Sequence, residues 1–288
     1  DHRDLHSFPT RRSSDLPTHG LITNIGKAHL EGFGSFEGVI QTKKELYDFL
    51  IKTKGKIFAN RDNIILSNLL ESYEYVRYGK ETGNMCRLKS HKANPFLEIE
   101  VLFLKRENQQ EIFEETQLNS NLIGAYNAEN ILAAACLGYF FNVPVTDIQN
   151  AVTNYQPSNN RSQYLTTENN EIIMDAYNAN PTSMKASLEN FSGIKKNNKV
   201  LILGDMLELG EYSRSEHQNI LSLIEKTGIE LVFLVGDVFH EITKSKTIKS
   251  FVRVEEFINF TQHNPIKNSF ILIKGSRGIR LEKVLDVL

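Results

Sequence analysis

The stretch KVLILGDMLELG, which runs from Lys199 to Gly210, decides the fold class of the chain. Its Val200–Leu203 segment is a continuous apolar run that leads directly into a glycine and an aspartate. Segments of helical periodicity separate it from three similar runs, Ile172–Asp175, Leu231–Val235 and Phe270–Ile273. Apolar strands that alternate with helices are typical of a parallel sheet covered on both faces. The sequence therefore predicts an α/β fold.

Elements are also predicted on either side of these strands. Helical patterns occur near 182–192, 213–227, 254–263 and 278–288. In the first half we predict the strands Leu21–Ile25, Lys56–Ala59 and Phe96–Leu104 and the helices Phe36–Ile51, Asn127–Phe141 and Thr146–Asn154. Thr146 is expected to cap the last of these, with Asp147 in its first turn. The rhythm changes after the loop 156–161, which places a domain boundary near Pro157.

The composition describes an ordinary globular protein. The 288 residues contain 33 Lys and Arg against 35 Asp and Glu, a net charge of −2, which gives no electrostatic footprint for nucleic acid. No apolar run approaches the roughly 20 residues of a membrane span. Cys86 and Cys136 form neither a metal motif nor a disulfide framework, which favours a reducing compartment. We expect a monomeric cytoplasmic protein that neither binds nucleic acid nor inserts into a membrane.

The segment Asp1–Leu16 differs from the rest of the chain. Its sequence, DHRDLHSFPTRRSSDL, has neither the apolar core nor the small-residue cleavage site of a signal peptide. It resembles the conceptual translation of a widely used DNA sequencing adapter, and a disordered natural N-terminus is the alternative. We expect a non-native, disordered tail and exclude it from fold and function. Pro17 is then expected to be an interior residue of a longer protein.

Two positions near the start of the first domain have side chains suited to metal or phosphate chemistry. His29 follows the first predicted strand, and with the carboxylate of Glu31 it could serve a divalent cation or orient a phosphate; a capped surface loop explains the same residues. Lys43 lies beside Lys44 on the next predicted helix. A reactive role requires that burial or neighbouring charge keep its amine neutral, whereas a solvated lysine pair is the alternative.

Three further residues suit nucleotide binding. Asn127 and Asn130 lie at the start of the Ala-rich helix, and each amide offers the donor and the acceptor that reading an adenine edge requires. Helix capping explains Asn127 better than Asn130. Arg161 follows the polar linker at the expected domain junction, where its planar guanidinium could bind phosphate.

Polar side chains also follow two strands of the second domain. The stretches DAYNANP (175–181) and KGSRG (274–278) lie at carboxyl ends of strands, where ligands bind in open α/β sheets. The second is a plausible anion-binding turn, although tight backbone geometry equally explains its two glycines. The 288 residues contain no G-x-x-x-x-G-K-[ST] phosphate loop, no G-x-G-x-x-G fingerprint, no nucleophile elbow and no paired-cysteine zinc site.

Taken in order, five stretches of the chain resemble the Mur ligase family. They are ITNIGKAHLEGFGSFEGVIQTKKEL (22–46), GAYNAENILAAA (124–135), DAYNANPTSM (175–184), GDMLELG (204–210) and KGSRG (274–278). The resemblance implies a UDP-sugar domain, a central P-loop ATPase domain with a mostly parallel sheet, and a C-terminal Rossmann-like α/β domain. Residues 17–156 are expected to be the C-terminal part of the central domain, without the P-loop portion. Residues 157–288 are expected to be the whole C-terminal ligase domain.

The same resemblance assigns roles in the first domain and at the junction. His29 matches a magnesium ligand, and Lys43 matches a lysine whose carbamate holds a second metal, with Lys44 as the adjacent candidate. Asn127 and Asn130 match the pair that reads adenine. In the second half, Arg161 matches a hinge arginine that reaches ATP phosphate.

Residues of the C-terminal domain are assigned in the same way. Four match the strand end that closes over nucleotide and acceptor: Asp175, Tyr177, Asn178 and Asn180. Lys274 and Ser276 are weaker candidates for holding the carboxylate of the acceptor. Tyr126 stands where many relatives have histidine, which leaves the role of that one contact open.

The resemblance further implies ATP-driven amide formation with Mg²⁺. DAYNANP and GDMLELG favour the member that adds D-Ala-D-Ala to UDP-MurNAc-tripeptide, through an acyl phosphate, in peptidoglycan precursor synthesis. Because the family's P-loop has no counterpart here, we expect truncation and a fragment that is inactive alone. Two alternatives stay open: an isolated Rossmann-like ligand-binding module at 157–288, and a sister ligase such as folylpolyglutamate synthase.

Overall fold

The protein, as a computed structural model, is described for residues 16–26, 30–158, 160–245 and 247–288. It contains two six-stranded sheets, one in each half of the chain, and helices pack against both. Parallel pairs predominate in each sheet, which confirms the predicted α/β class. In this described part of the chain, every helix is too short or too polar to cross a bilayer.

The strands of the first sheet lie in chain order. Their bounds are His19–Leu21 (β1), Lys56–Asn60 (β2), Val76–Gly79 (β3), Cys86–Ala93 (β4), Phe96–Glu107 (β5) and Gln110–Ile123 (β6). Strands β1 to β4 pair in parallel, whereas β4, β5 and β6 form an antiparallel meander. The accompanying helices are Leu30–Phe33 (α1), Phe36–Thr53 (α2), Ile64–Leu69 (α3), Ala128–Phe140 (α4) and Val145–Asn154 (α5).

The second sheet has the strand order β11-β10-β9-β12-β8-β7. Its strands are Gln163–Thr166 (β7), Asn170–Asp175 (β8), Lys199–Gly204 (β9), Leu231–Val235 (β10), Lys249–Phe251 (β11) and Ser269–Lys274 (β12). All neighbours are parallel except β7 and β8. The helices of this half are Pro181–Gly193 (α6), Ser213–Thr227 (α7), Asp237–Ile242 (α8) and Val254–His263 (α9).

Four predictions for the first half and the C-terminus differ from the structure. The first strand is β1, not Leu21–Ile25, because β2 pairs only as far as Leu21; Ile22 and Ile25 are buried without a strand partner. Helix α5 begins one residue earlier than predicted, with Pro144 at the N-cap position and no side-chain cap, so Thr146 is not the cap. The final helical pattern, 278–288, forms two 3-10 segments, 277–279 and 281–287. Strands β3, β4 and β6 were not predicted from the sequence.

One hydrophobic cluster joins the two halves of the chain. Ile22 and Ile25 belong to the same buried cluster as Met184 and Leu203. Nearby, the backbone N–H of Glu31 donates a hydrogen bond to the carbonyl oxygen of Glu208 at 3.3 Å. The segment after β1 therefore packs directly against the second half.

A second cluster lies between the first sheet and α4 and contains both cysteines. Cys86 on β4 and Cys136 on α4 are free thiols with no exposed surface. A hydrogen bond to Cys136, together with burial, raises the pKa of the Cys86 thiol. Both cysteines are thus structural core residues.

Candidate functional site

A pocket of about 610 Å³ opens between α4, α5 and the end of β6. Its floor consists of small and apolar side chains of the two helices: Ile131, Ala134, Ala135, Ile148, Ala151 and Val152. Its polar lining consists of Asn127, Asn130, Arg161 and Ser162 together with Ser120, Asp147 and Tyr155. A largely apolar pocket with a few polar groups in its lining is suited to a flat, weakly polar ring bearing a charged extension.

Two amides of this pocket are hydrogen-bonded in series. The Asn127 amide nitrogen donates to the Ile123 carbonyl at 2.8 Å, and its oxygen accepts from the Asn130 amide nitrogen at 2.9 Å. Asn127 is 8% exposed, whereas Asn130 is an exposed residue. Asn127 stands at the N-cap position of α4 but makes no side-chain cap bond. The buried amide thus orients the exposed one, and Asn130 keeps its carbonyl oxygen for a ligand.

Arg161 lies at the mouth of the pocket and stacks on an aromatic ring. Its guanidinium carbon is 3.8 Å from the centroid of the Tyr177 ring, within the range of a cation–π contact. The residue is exposed, and no carboxylate among the described residues forms an ion pair with it. The Arg161 guanidinium is therefore free to bind an anion that enters from the pocket.

Asp175, at the end of β8, is held by several groups. Its carboxylate accepts from the Lys274 amine at 2.5 Å, from the Ser187 hydroxyl at 3.4 Å and from the backbone N–H of Ser162 at 3.3 Å. Lys274 is only 1% exposed. The pair therefore joins the carboxyl ends of β8 and β12 and, through Ser162, holds the loop next to Arg161.

The remaining predicted substrate residues also have internal partners. The Ser276 hydroxyl accepts from the backbone N–H of Leu207 at 2.9 Å and donates to the Ala179 carbonyl at 3.4 Å. The Asn180 side chain accepts from the backbone N–H of Ser183 at 2.9 Å and caps α6. Asn178 is exposed. The polar atoms of Ser276 and Asn180 thus serve the fold in this structure, and their predicted ligand roles stay predictions.

Lys43 lies on α2, outside the pocket lining. Its amine donates to the carbonyl oxygen of Asn24 at 2.9 Å, beside the segment that contacts the second half. Desolvation by the surrounding chain lowers the pKa of the Lys43 amine. Lys44 instead pairs with Asp48 one turn along the helix, at 2.5 Å. The two lysines thus have different partners, a backbone carbonyl for Lys43 and a carboxylate for Lys44.

The structure allows the predicted metal site, His29 and Lys43, to be checked only in part. His29 falls outside the described residues, as do residues 1–15 of the N-terminal segment. Among the residues that are described, no group of three or more His, Cys, Asp and Glu side chains could hold a metal ion. The Lys43 amine is a hydrogen-bond donor to a carbonyl oxygen, and the described groups by themselves do not form a magnesium site.

Tyr126 and Ser162 form a contact that the sequence did not indicate. The Tyr126 hydroxyl lies 3.2 Å from the Ser162 hydroxyl, across the junction of the two halves. Burial raises the pKa of Tyr126. Gly124 has a φ of +93°, and a Cβ there would meet the Tyr126 ring at 2.3 Å, so this glycine makes room for the ring. In the sequence only the tripeptide Gly-Ala-Tyr at 124–126 marked this contact. Its other half could not be predicted, because Ser162, the partner of Tyr126, lies 36 residues away.

Two family models match the chain. The Mur ligase middle domain matches residues 5–138, and the Mur ligase, glutamate ligase domain matches residues 160–277. Together they cover most of the chain, in the order in which the two sheets occur. The chain belongs to the Mur ligase family. The first match begins inside the segment Asp1–Leu16, whose foreign origin stays a prediction.

The curated relatives include UDP-N-acetylmuramoyl-tripeptide–D-alanyl-D-alanine ligases. That of Bacillus subtilis is 29% identical over an alignment of 283 residues that covers 94% of this chain and 59% of the relative. That of Rickettsia prowazekii is 29% identical over an alignment of 292 residues that covers 94% of this chain and 61% of the relative. The chain therefore spans about three fifths of the length of these relatives.

Solved structures share the fold. MurF from Acinetobacter baumannii has a TM-score of 0.78 at 22% identity, covering 94% of this chain and 59% of its own. MurF ligase from Thermotoga maritima in complex with ADP has a TM-score of 0.76 at 23% identity, covering 95% and 62%. The two sheets and their helices thus have the arrangement found in MurF structures.

Proposed function

We propose that this chain is part of a MurF-type ligase of peptidoglycan precursor synthesis. The enzyme would use ATP and Mg²⁺ to join D-Ala-D-Ala to UDP-MurNAc-tripeptide in the cytoplasm, as a monomer that neither binds nucleic acid nor inserts into a membrane. The observation that carries the proposal is the pocket in which the amide of Asn130 and the free guanidinium of Arg161 line the same, largely apolar space. The names of the similar ligases supply the substrates.

The proposed reaction has two steps. The terminal carboxylate of the tripeptide attacks the γ-phosphate of ATP, which gives an acyl phosphate and ADP. The amine of D-Ala-D-Ala then attacks the acyl carbon and displaces phosphate. Such steps are accelerated mainly by positioning and by stabilisation of phosphate charge, and Mg²⁺ would contribute to the latter when bound.

The described residues would act in positioning and charge stabilisation. Asn130, oriented by Asn127, would bind the adenine edge, and Arg161 would bind phosphate. The salt bridge between Asp175 and Lys274 would keep the loop that carries Arg161 in place. Tyr177 would hold the Arg161 guanidinium against its ring.

Adenosine binding to the chain itself tests the nucleotide pocket. Adenosine needs no phosphate loop, so we expect saturable binding by calorimetry and at least about tenfold weaker binding of guanosine, whose ring edge presents the opposite donor and acceptor order. Asn130→Ala should weaken adenosine binding roughly three- to tenfold, as loss of one hydrogen-bonding group implies. Asn119→Ala, an exposed amide of β6 outside the pocket lining, is the matched control. Equal binding of the two nucleosides would contradict the proposal.

The complete activity is tested on the full reading frame. Genomic DNA upstream of the Pro17 codon should encode an in-frame P-loop. The protein expressed from that frame should release phosphate only when ATP, UDP-MurNAc-tripeptide and D-Ala-D-Ala are all present. The 288-residue chain, whose sequence has no P-loop, should release none. Phosphate release that does not depend on the dipeptide would exclude this ligase activity.

Carbamylation of Lys43 is a further part of the proposal. CO₂ reacts with a neutral amine to give a carbamate and a proton, and the lowered pKa of Lys43 increases the neutral fraction at any given pH. With ¹³C-bicarbonate we expect a carbamate resonance that grows as the pH rises through the lowered pKa. It should vanish in Lys43→Arg and persist in Lys44→Arg. A signal that survives Lys43→Arg would assign the reaction to another amine.

A further inference from the structure

The turn Lys274–Gly278, which follows β12, is fixed by its neighbours. A Cβ on Gly275 would lie 3.0 Å from the Cα of Gly204, so the two backbones are in close contact. The backbone N–H of Ser276 donates to the Asp205 carbonyl at 3.1 Å. A Cβ on Gly278 would meet the Leu207 side chain at 2.7 Å. The turn is therefore held rigidly against the end of β9.

Arg277 is the one polar side chain of this turn that has no structural task. The Lys274 amine is bonded to Asp175, and the Ser276 hydroxyl is bonded to Leu207 and Ala179. Arg277 is exposed, and within the described ranges no carboxylate pairs with it. An anion that approaches this turn would therefore meet the guanidinium of Arg277, not the lysine or the serine.

The Arg277 guanidinium faces the same ring as Arg161. Its central carbon is 5.6 Å from the centroid of the Tyr177 ring, and that of Arg161 is 3.8 Å away. Arg161 lines the nucleotide pocket, whereas Arg277 does not. Tyr177 is thus close both to a cation of the pocket lining and to a second cation that is presented by the β12 turn. Two unpaired cations next to one ring repel each other, so bound anions would stabilise the arrangement.

We propose that Arg277 binds the C-terminal carboxylate of the dipeptide acceptor. The inference rests on the proposed function, in which Arg161 binds phosphate at the reacting end. A dipeptide spans about 7 Å from its amine to its carboxylate, since an extended residue covers about 3.3–3.6 Å. Since both guanidinium carbons lie near the Tyr177 ring, at 3.8 and 5.6 Å from its centroid, a ligand of that length would extend from Arg277 along the ring and direct its amine to the acyl phosphate. Arg277, not Lys274 or Ser276, then selects a free carboxylate at the correct distance.

Binding to Arg277 in this way requires that the ligand have a free carboxylate and a sufficient length. Arg277 would form charge-assisted, bidentate hydrogen bonds with a carboxylate and none of equal strength with a carboxamide. A single D-alanine is too short to bind Arg277 and present its amine beside Arg161. The site should therefore prefer D-Ala-D-Ala to D-alanyl-D-alaninamide and to D-alanine.

The test uses the 288-residue chain and two charge-removing variants. Arg277→Gln should weaken D-Ala-D-Ala binding, followed by ¹⁵N-arginine side-chain resonances and calorimetry, by about ten- to a hundredfold, the loss expected for a charge-assisted hydrogen bond. Arg280→Gln removes a nearby exposed arginine that also lacks a described ion pair, and it should leave binding unchanged. D-Alanyl-D-alaninamide should bind Arg277→Gln and the parent chain equally weakly. Arg277→Lys should restore part of the affinity, because it keeps the charge but not the fork.

Adenosine binding separates this proposal from the proposed function. It should be the same in the parent chain and in Arg277→Gln, which also shows that the variant is folded. If adenosine binds normally but D-Ala-D-Ala binding is absent, equals that of the amide, or is insensitive to Arg277→Gln, the carboxylate site is refuted and the nucleotide pocket stands. If adenosine does not bind, the nucleotide pocket is refuted whatever the dipeptide does.

Discussion

Lys274→Met is expected to lower the free energy of unfolding by about 3–5 kcal/mol, the cost of leaving a buried charge without its partner. Lys274 and Asp175 lie 2.5 Å apart, and their side chains are 2% and 14% exposed. Methionine keeps most of the lysine volume, so the loss would come from the unpaired carboxylate. Urea unfolding, monitored by circular dichroism, measures the change through the shift of the midpoint.

Two controls make this result specific. Lys274→Met combined with Asp175→Asn removes both charges and should recover much of the lost stability, because no unpaired ion remains. Lys283→Met breaks the exposed pair with Glu255, whose atoms are 2.7 Å apart, and should have little effect. If Lys274→Met were no more destabilising than Lys283→Met, the Asp175 pair would not hold the ends of β8 and β12 together.

Gly236→Ala is expected to cost about 3 kcal/mol or more. Gly236 has a φ of +134°, a conformation that is almost restricted to glycine, and a Cβ there would lie 2.2 Å from the carboxyl carbon of Asp205. Asp205 is 3% exposed and accepts from the backbone N–H groups of Val238 at 2.9 Å and Phe239 at 3.0 Å. The added methyl group would strain the backbone and break these bonds at the start of α8.

Gly193→Ala is the matched glycine control. Gly193 is the last residue of α6, and a Cβ there would meet no atom within 4 Å. Its replacement should leave stability unchanged or slightly increased, because alanine restricts the unfolded chain. Comparable thermal unfolding of the two alanine variants would show that the close approach of Gly236 to Asp205 does not constrain the fold.

The second sheet could be predicted well because its central strands are buried on both faces. Strands β9, β10 and β12 are continuous apolar runs, and all but their first residues are buried. The partners of β5 could not be found in the same way. Half of the residues of β4 and of β6 are exposed, and both strands owe their position to backbone pairing with β5, which leaves little hydrophobic pattern to read.

The candidate site could likewise be predicted from the sequence only in part. Local sequence could place Asn127 and Asn130 at the start of one helix, and the structure puts both in one pocket with Arg161. Sequence could not reveal which polar atoms are used internally, since the partners of Lys274 and Ser276 lie 99 and 69 residues away. Arg277 can be recognised as the unpaired side chain of its turn only when the internal hydrogen bonds of Lys274 and Ser276 are known.

The two thiols in the first core offer a built-in probe of motion. Cys86 and Cys136 have no exposed surface, and the pKa of Cys86 is raised. In the folded protein, alkylating reagents therefore cannot reach the thiolate form that they attack. Modification must wait until helix α4 separates from the sheet beneath it. Because α4 also carries Asn130, the rate of alkylation by a maleimide would report how often the wall of the proposed nucleotide pocket opens, and a bound nucleoside should slow it.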